Sequence, residues 1–133
     1  MNSTPLSPFL RRVLWFDAAT CLVTGTVMLV AGGMVERLLA IPEQLSIALG
    51  VVLLAFGAAV AWVGTRPNLL RPAVWSIFAL NALWAIESVL ALAFGWLEPN
   101  ALGQALIIGQ AIAVAVIAEL QFVGLRRARP IAA

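Results

Sequence analysis

The chain has 133 residues, of which 63% are hydrophobic and 11% charged, and its net charge of +2 comes from arginine alone. Mean hydropathy is +1.04. Ordinary soluble domains carry about 25% charged residues, and a small domain leaves too much surface exposed to hide this much hydrocarbon, so the composition excludes an ordinary soluble globule and places the chain in the membrane class.

Absences narrow the chemistry further. There is no His, no Tyr and a single Cys, Cys21. This removes His-based general base catalysis, a Ser-His triad, His-ligated haem or zinc, and any internal disulfide. No phosphate-binding glycine loop and no close pair of carboxylates is present, so neither a cofactor, a metal nor an enzymatic activity is expected. The arginines form no nucleic-acid patch, because they fall at the ends of the apolar runs.

The first of these runs covers about 13–34 and contains Asp17, Thr20, Cys21, Thr24 and Met28 on one face. It is too long for the apolar part of a cleaved signal, and no small-residue cleavage site follows it, so it is expected to be retained. Asp17 lies under two turns inside the arginine-rich interface. The expected role is an ion pair with Arg71 or Arg126, because intramembrane charges usually pair. Cys21 is expected to be a small buried hydrophobe.

The second run, about 45–64, has no ionisable residue. Gly50, Gly57 and Gly64 recur every seven positions, with Ala61 between the last two. Small residues along one face allow close backbone approach, so this run is the candidate for tight packing or self-association.

The third run, about 73–95, includes ALNALWAIESVLAL. Its polar residues Asn81, Trp84, Glu87 and Ser88 share an arc of about 120° on a helix that turns 100° per residue. That stripe is expected to face the bundle or a subunit interface, since a central acid costs about 2.5–3.5 kcal/mol on insertion scales. Glu87 would either stay dry as a neutral hydrogen-bond donor or line a wet cavity and exchange protons or cations. A packing contact with Gln110, at similar depth on the fourth run, is the competing structural reading.

The fourth run, about 102–124, is preceded by Asn100, a plausible N-cap. It carries Glu119, two turns before Arg126 and expected to behave as Asp17 does. Each run is about 20 residues, enough to cross roughly 30 Å of hydrocarbon as a helix. Pro42 and Pro72 suit first-turn positions, and Gly64 and Gly95 suit helix ends.

The fold class expected is all-α: one integral membrane domain over residues 1–133, a four-transmembrane-helix bundle. Arg11, Arg12, Arg66, Arg71, Arg126, Arg127 and Arg129 lie on one side and only Arg37 on the other, which puts both termini in the cytoplasm. Trp15, Trp62, Trp75 and Trp96 fall at interface levels, leaving Trp84 as the one deep tryptophan. A shift of 60 positions superposes RRVLW on RPAVW and WVGTR on FVGLR, the mark of a parallel two-helix repeat. Interface placement alone also produces such matches.

The stretches SPFLRRVLWFDAATCLVTG, LLAIPEQLSIALGVVLLAF, AVWSIFALNALWAIESVLAL and AELQFVGLRR resemble uncharacterised small four-helix inner-membrane proteins of bacteria, over nearly the whole chain. The layout is also loosely similar to DoxX-like four-helix proteins. These resemblances imply a multi-pass place in the bacterial inner (plasma) membrane and no particular activity. Small multidrug resistance transporters are similar in size and helix count, but their acid lies in the first helix and the deep glutamate here lies in the third.

Four helices enclose little space, so a carrier would have to be a homodimer or larger. The expected function is a carrier or binding protein for a proton, a cation or a lipophilic small molecule. It would centre on Glu87, with Asn81, Ser88 and Gln110 as polar ligands and Trp84 as a wall. Asp17, Thr20, Thr24 and Glu119 are secondary candidates. The alternative is a non-catalytic accessory subunit of a larger membrane complex.

Overall fold

In a computed structural model, residues 4–128 are described; Arg129, one of the arginines placed on the basic side, lies outside them. Five helices follow one another: α1 Pro8–Val30, α2 Gly32–Leu39, α3 Glu43–Gly64, α4 Arg71–Ala93 and α5 Ala101–Arg127. Among them α1, α3, α4 and α5 are long and apolar enough to cross a membrane. Only 17 to 33% of each apolar window is buried inside the bundle, so most of the hydrocarbon faces outward.

The boundaries have local causes. Ser7 accepts from the Leu10 amide at 3.1 Å and Pro8 follows it, a cap and a proline where the first turn needs no N–H donor. The apolar pattern suggests one run to residue 34, but α1 stops at Val30 and the chain turns at Ala31 into the short α2. Gly32 permits this fold-back: a Cβ there would stand 3.3 Å from Glu43 Cγ. α2 ends at Ala40, in the left-handed region at φ 57°. Asn100 fulfils its expected role, taking the Gly103 amide at 2.9 Å. It also donates from its backbone and side chain to Leu39 O at 3.0 Å and Leu38 O at 2.8 Å, which ties α2 to the start of α5.

α1 packs most extensively on α3, and α4 on α5, while α1 also meets α5. The glycines explain the first pairing. Gly50, Gly57 and Gly64 are all buried on α3, and their missing side chains are replaced by Gly25 and Leu29, by Cys21 and Leu22, and by Trp15, all of α1. The seven-residue repeat is therefore the seam of an antiparallel pair within one chain. Gly109 of α5 is the contrast, with nothing within 4 Å of a Cβ built on it. Gly109→Ala is expected to leave the fold intact and raise stability by about 0.5–1 kcal/mol, the helix cost of glycine. Unfolding by denaturing detergent would measure it.

The large buried side chains concentrate at one end. Leu6, Leu10, Leu14, Val60, Val74 and Leu125 are at most 6% exposed, beside Val63, Leu69 and Ile77. Two arginines brace the same end. Arg11 of α1 donates to Gly64 O at 2.6 Å and Arg66 O at 3.2 Å, and Arg71 of α4 donates to Ala128 O at 2.7 Å. Positions 11 and 71 thus do like work, each neutralising the carbonyl end of the helix its own helix packs against.

Candidate functional site

One turn beyond that apolar core, three helices bring polar side chains together. α1 contributes Asp17, α4 contributes Asn81 and α5 contributes Gln121, at 2%, 4% and 0% exposure. The Asn81 amide donates from Nδ2 to Asp17 Oδ2 at 2.7 Å and to Gln121 Oε1 at 3.0 Å. The Gln121 amide donates from Nε2 to the same Asp17 oxygen at 2.7 Å. Both amides thus converge on Oδ2. The second oxygen, Oδ1, accepts only the Cys21 thiol, at 3.5 Å, a long contact suited to sulfur.

The ion pair expected for Asp17 is not formed. Arg71 is held by Ala128 O, and the Arg126 guanidinium lies over the Phe122 ring at 5.7 Å. Unpaired carbonyls at helix C-termini hold Arg71, and before it Arg11, at the end of the bundle, and amides take their place around the acid. Glu119 is exposed on the outer surface of α5. Thr20 spends its hydroxyl on the Asp17 backbone carbonyl at 2.9 Å, and Thr24 is exposed on α1.

The polar stripe on α4 divides. Asn81 joins Asp17, as above. Trp84 donates from Nε1 to Gln110 Oε1 at 2.9 Å, and Gln110 donates from Nε2 to Ser88 Oγ at 3.0 Å, making a second polar cluster deeper between α4 and α5. This contact accounts for the deep tryptophan. Glu87 belongs to neither cluster and is exposed. The reason is angular: Glu87 lies about 60° beyond Trp84 around the helix, past the strip that α5 covers. Of the two orientations expected for Glu87, the one within a single bundle is not realised; a surface for another subunit is the one that stays open.

Gln121 is the functional candidate that sequence reasoning misses. It sits six residues before Arg127, where a polar residue reads as interfacial. The available signal is its spacing of four from Ile117 and three from Gly124, both on the buried arc of α5. No group of three metal-ligating side chains occurs among the described residues.

Compared with known proteins, the chain matches no protein family, no curated protein sequence and no solved structure. The class that the fold supports is therefore the coarse one: an all-α protein with four helices able to span a membrane and a buried acid where three of them meet.

Proposed function

We propose that the chain is a multi-pass protein of the bacterial inner membrane, with both termini cytoplasmic, that binds or carries a proton, a cation or a lipophilic small molecule. The Asp17–Asn81–Gln121 cluster is its central site. One observation supports this most. Asp17 is enclosed by neutral donors, so any negative charge on it lacks a counter-charge among the described residues. A carboxylate in such a setting is neutralised by a proton or by a cation. Both amides approach Oδ2, which leaves Oδ1, opposite the small thiol of Cys21, as the oxygen to receive it. The arginines gathered at the end nearer Asp17 support reading that end as the cytoplasmic one, and exchange would then run to the cytoplasmic side. The like roles of Arg11 and Arg71 fit an origin by duplication of a two-helix unit.

The test uses the purified protein in proteoliposomes with a trapped pH indicator and an imposed gradient. Wild type is expected to accelerate pH-linked flux, with Asp17→Asn folded but at the protein-free rate. Equal flux in Asp17→Asn and wild type would remove Asp17 from the role. Glu87→Gln in the same assay asks whether the exposed acid contributes; unchanged flux would confine the function to Asp17.

A second reading has its own support, the exposure of Glu87 in the outer half of the apolar α4. A lipid-facing acid costs about 2.5–3.5 kcal/mol at a helix centre and less toward its end, a cost that a covering subunit would relieve. Leu83 and Ile86, at 49% and 57% exposure, flank it on the same outer surface. On this reading the face of α4 meets a second copy or another chain of a membrane complex. Crosslinking in native membranes through Leu83→Cys is expected to capture a partner, and the mass of the product says which kind. Monomer alone would count against assembly through this face.

A further inference from the structure

Between α1 and α5, on the outer surface, runs a groove of about 630 Å³. Its walls are apolar, formed by Phe9 and Phe16 of α1 and by Ala113, Val116 and Leu120 of α5, and its one charged lining residue is Arg12. That size is within the range of small-molecule pockets. Phe9, Phe16, Val116 and Leu120 are 40%, 62%, 49% and 39% exposed, so the groove is open along its length.

Arg12 differs from its neighbour. Arg11 is committed to the carbonyls of Gly64 and Arg66, whereas Arg12 has no hydrogen-bond partner among the described residues and is exposed. A second cation belongs to the same end. α5 runs antiparallel to α1 and finishes at Arg127, which falls within about 20° of Leu120 around the helix, two turns further on. The groove therefore has hydrocarbon walls along its length and a basic end at the level of the interface.

We infer that this groove seats one anionic phospholipid of the surrounding leaflet, an acyl chain lying between Phe16, Val116 and Leu120 and the phosphate on Arg12. The inference rests on reading the chain as membrane-spanning. The charge of the groove selects the occupant: a basic pocket between spans attracts anionic headgroups, and a neutral or zwitterionic lipid gains only the apolar contact. Arg127, on the same arc of α5, adds to the field at the headgroup.

Native mass spectrometry of the whole protein tests this, in mild detergent doped with phosphatidylglycerol or phosphatidylcholine of identical acyl chains. Wild type is expected to retain phosphatidylglycerol over phosphatidylcholine by about fivefold, the factor that one basic contact of ~1 kcal/mol supplies. Arg12→Gln is expected to bring that ratio close to one. Ala113→Phe, which fills the groove and leaves the charge, is expected to lower retention of both lipids. Equal retention by wild type, an unchanged ratio in Arg12→Gln, or undiminished retention in Ala113→Phe would each overturn the proposal. Resistance of the three proteins to alkaline carbonate extraction from membranes is measured alongside. Its loss would strike the membrane reading itself, whereas intact association without lipid preference strikes only the groove.

Discussion

Asp17→Leu is expected to destabilise the bundle by about 2 kcal/mol, while Asp17→Asn stays within a few tenths of wild type. Leucine removes the acceptor shared by two buried amides: Gln121 Nε2 is left with no other partner, and Asn81 Nδ2 keeps only Gln121 Oε1. A buried group left unsatisfied costs about 1–3 kcal/mol. Interhelical hydrogen bonds in membranes average only about 0.6 kcal/mol, because the unfolded reference also finds partners, and this holds the expected loss to the lower part of the summed range. Asparagine keeps an oxygen where Oδ2 stands; it loses the charge and turns its NH2 toward the Cys21 sulfur, giving up only the long thiol contact. The triple variant Asp17→Leu, Asn81→Leu, Gln121→Leu separates polar satisfaction from packing. Replacing a whole buried polar group by apolar side chains of similar volume is often neutral or stabilising, so this variant is expected to recover what Asp17→Leu loses. Unfolding by denaturing detergent, followed by helical circular dichroism, measures all three. A triple variant no better than Asp17→Leu would mean that shape, and not hydrogen bonding, holds the junction.

The other large effect is expected at Gly50. A Cβ there would lie 2.8 Å from both Gly25 O and Leu29 N. Both are backbone atoms, so neither can swing aside as a side chain would, and α1 must move off α3. Overpacking of this kind costs about 1–3 kcal/mol. Gly50→Val is expected to exceed Gly50→Ala, because the branched side chain adds atoms in the same direction. The nearby hydrogen bond from Ser46 Oγ to Met28 O, at 2.8 Å, would be lost with the separation. A lowered unfolding midpoint and loss of monodisperse protein on extraction are the expected readings. Gly50→Ala as stable as wild type would show that the two helices have slack here.

Much of the scaffold is legible in the residues themselves. Apolar length locates all four long helices, proline and glycine mark their ends, and Asn100 caps α5 as its chemistry predicts. The seven-residue glycine repeat correctly announces a tight seam, although composition cannot say whether the partner lies in the same chain. The missed elements have physical explanations. α2 is hidden because Gly32 and Gly33 extend an apolar run without a polar break. For Glu87 the residues leave two orientations, bundle or subunit interface, because periodicity tells which residues share a side of a helix, but how wide a strip the neighbour covers depends on packing. The partners of Asp17 are missed because pairing by charge ignores the competing demand of helix C-termini, where Gly64 O and Ala128 O take the arginines. Gln121 goes unnoticed for the same cause: an amide near arginines reads as interfacial, and only the packing of α5 turns it inward.

The central claim is that Asp17 Oδ1 receives a counter-charge from outside the protein. Cys21 is the only thiol in the chain, and it donates to that oxygen. Its S–H stretching band in the infrared therefore reports directly on the state of Asp17. In wild-type protein reconstituted in lipid, the band is expected to shift when buffer pH or alkali cation is changed, and in Asp17→Asn to hold one position throughout. A wild-type band indifferent to both, or one identical to that of Asp17→Asn, would contradict the account and leave the cluster as a packing contact alone.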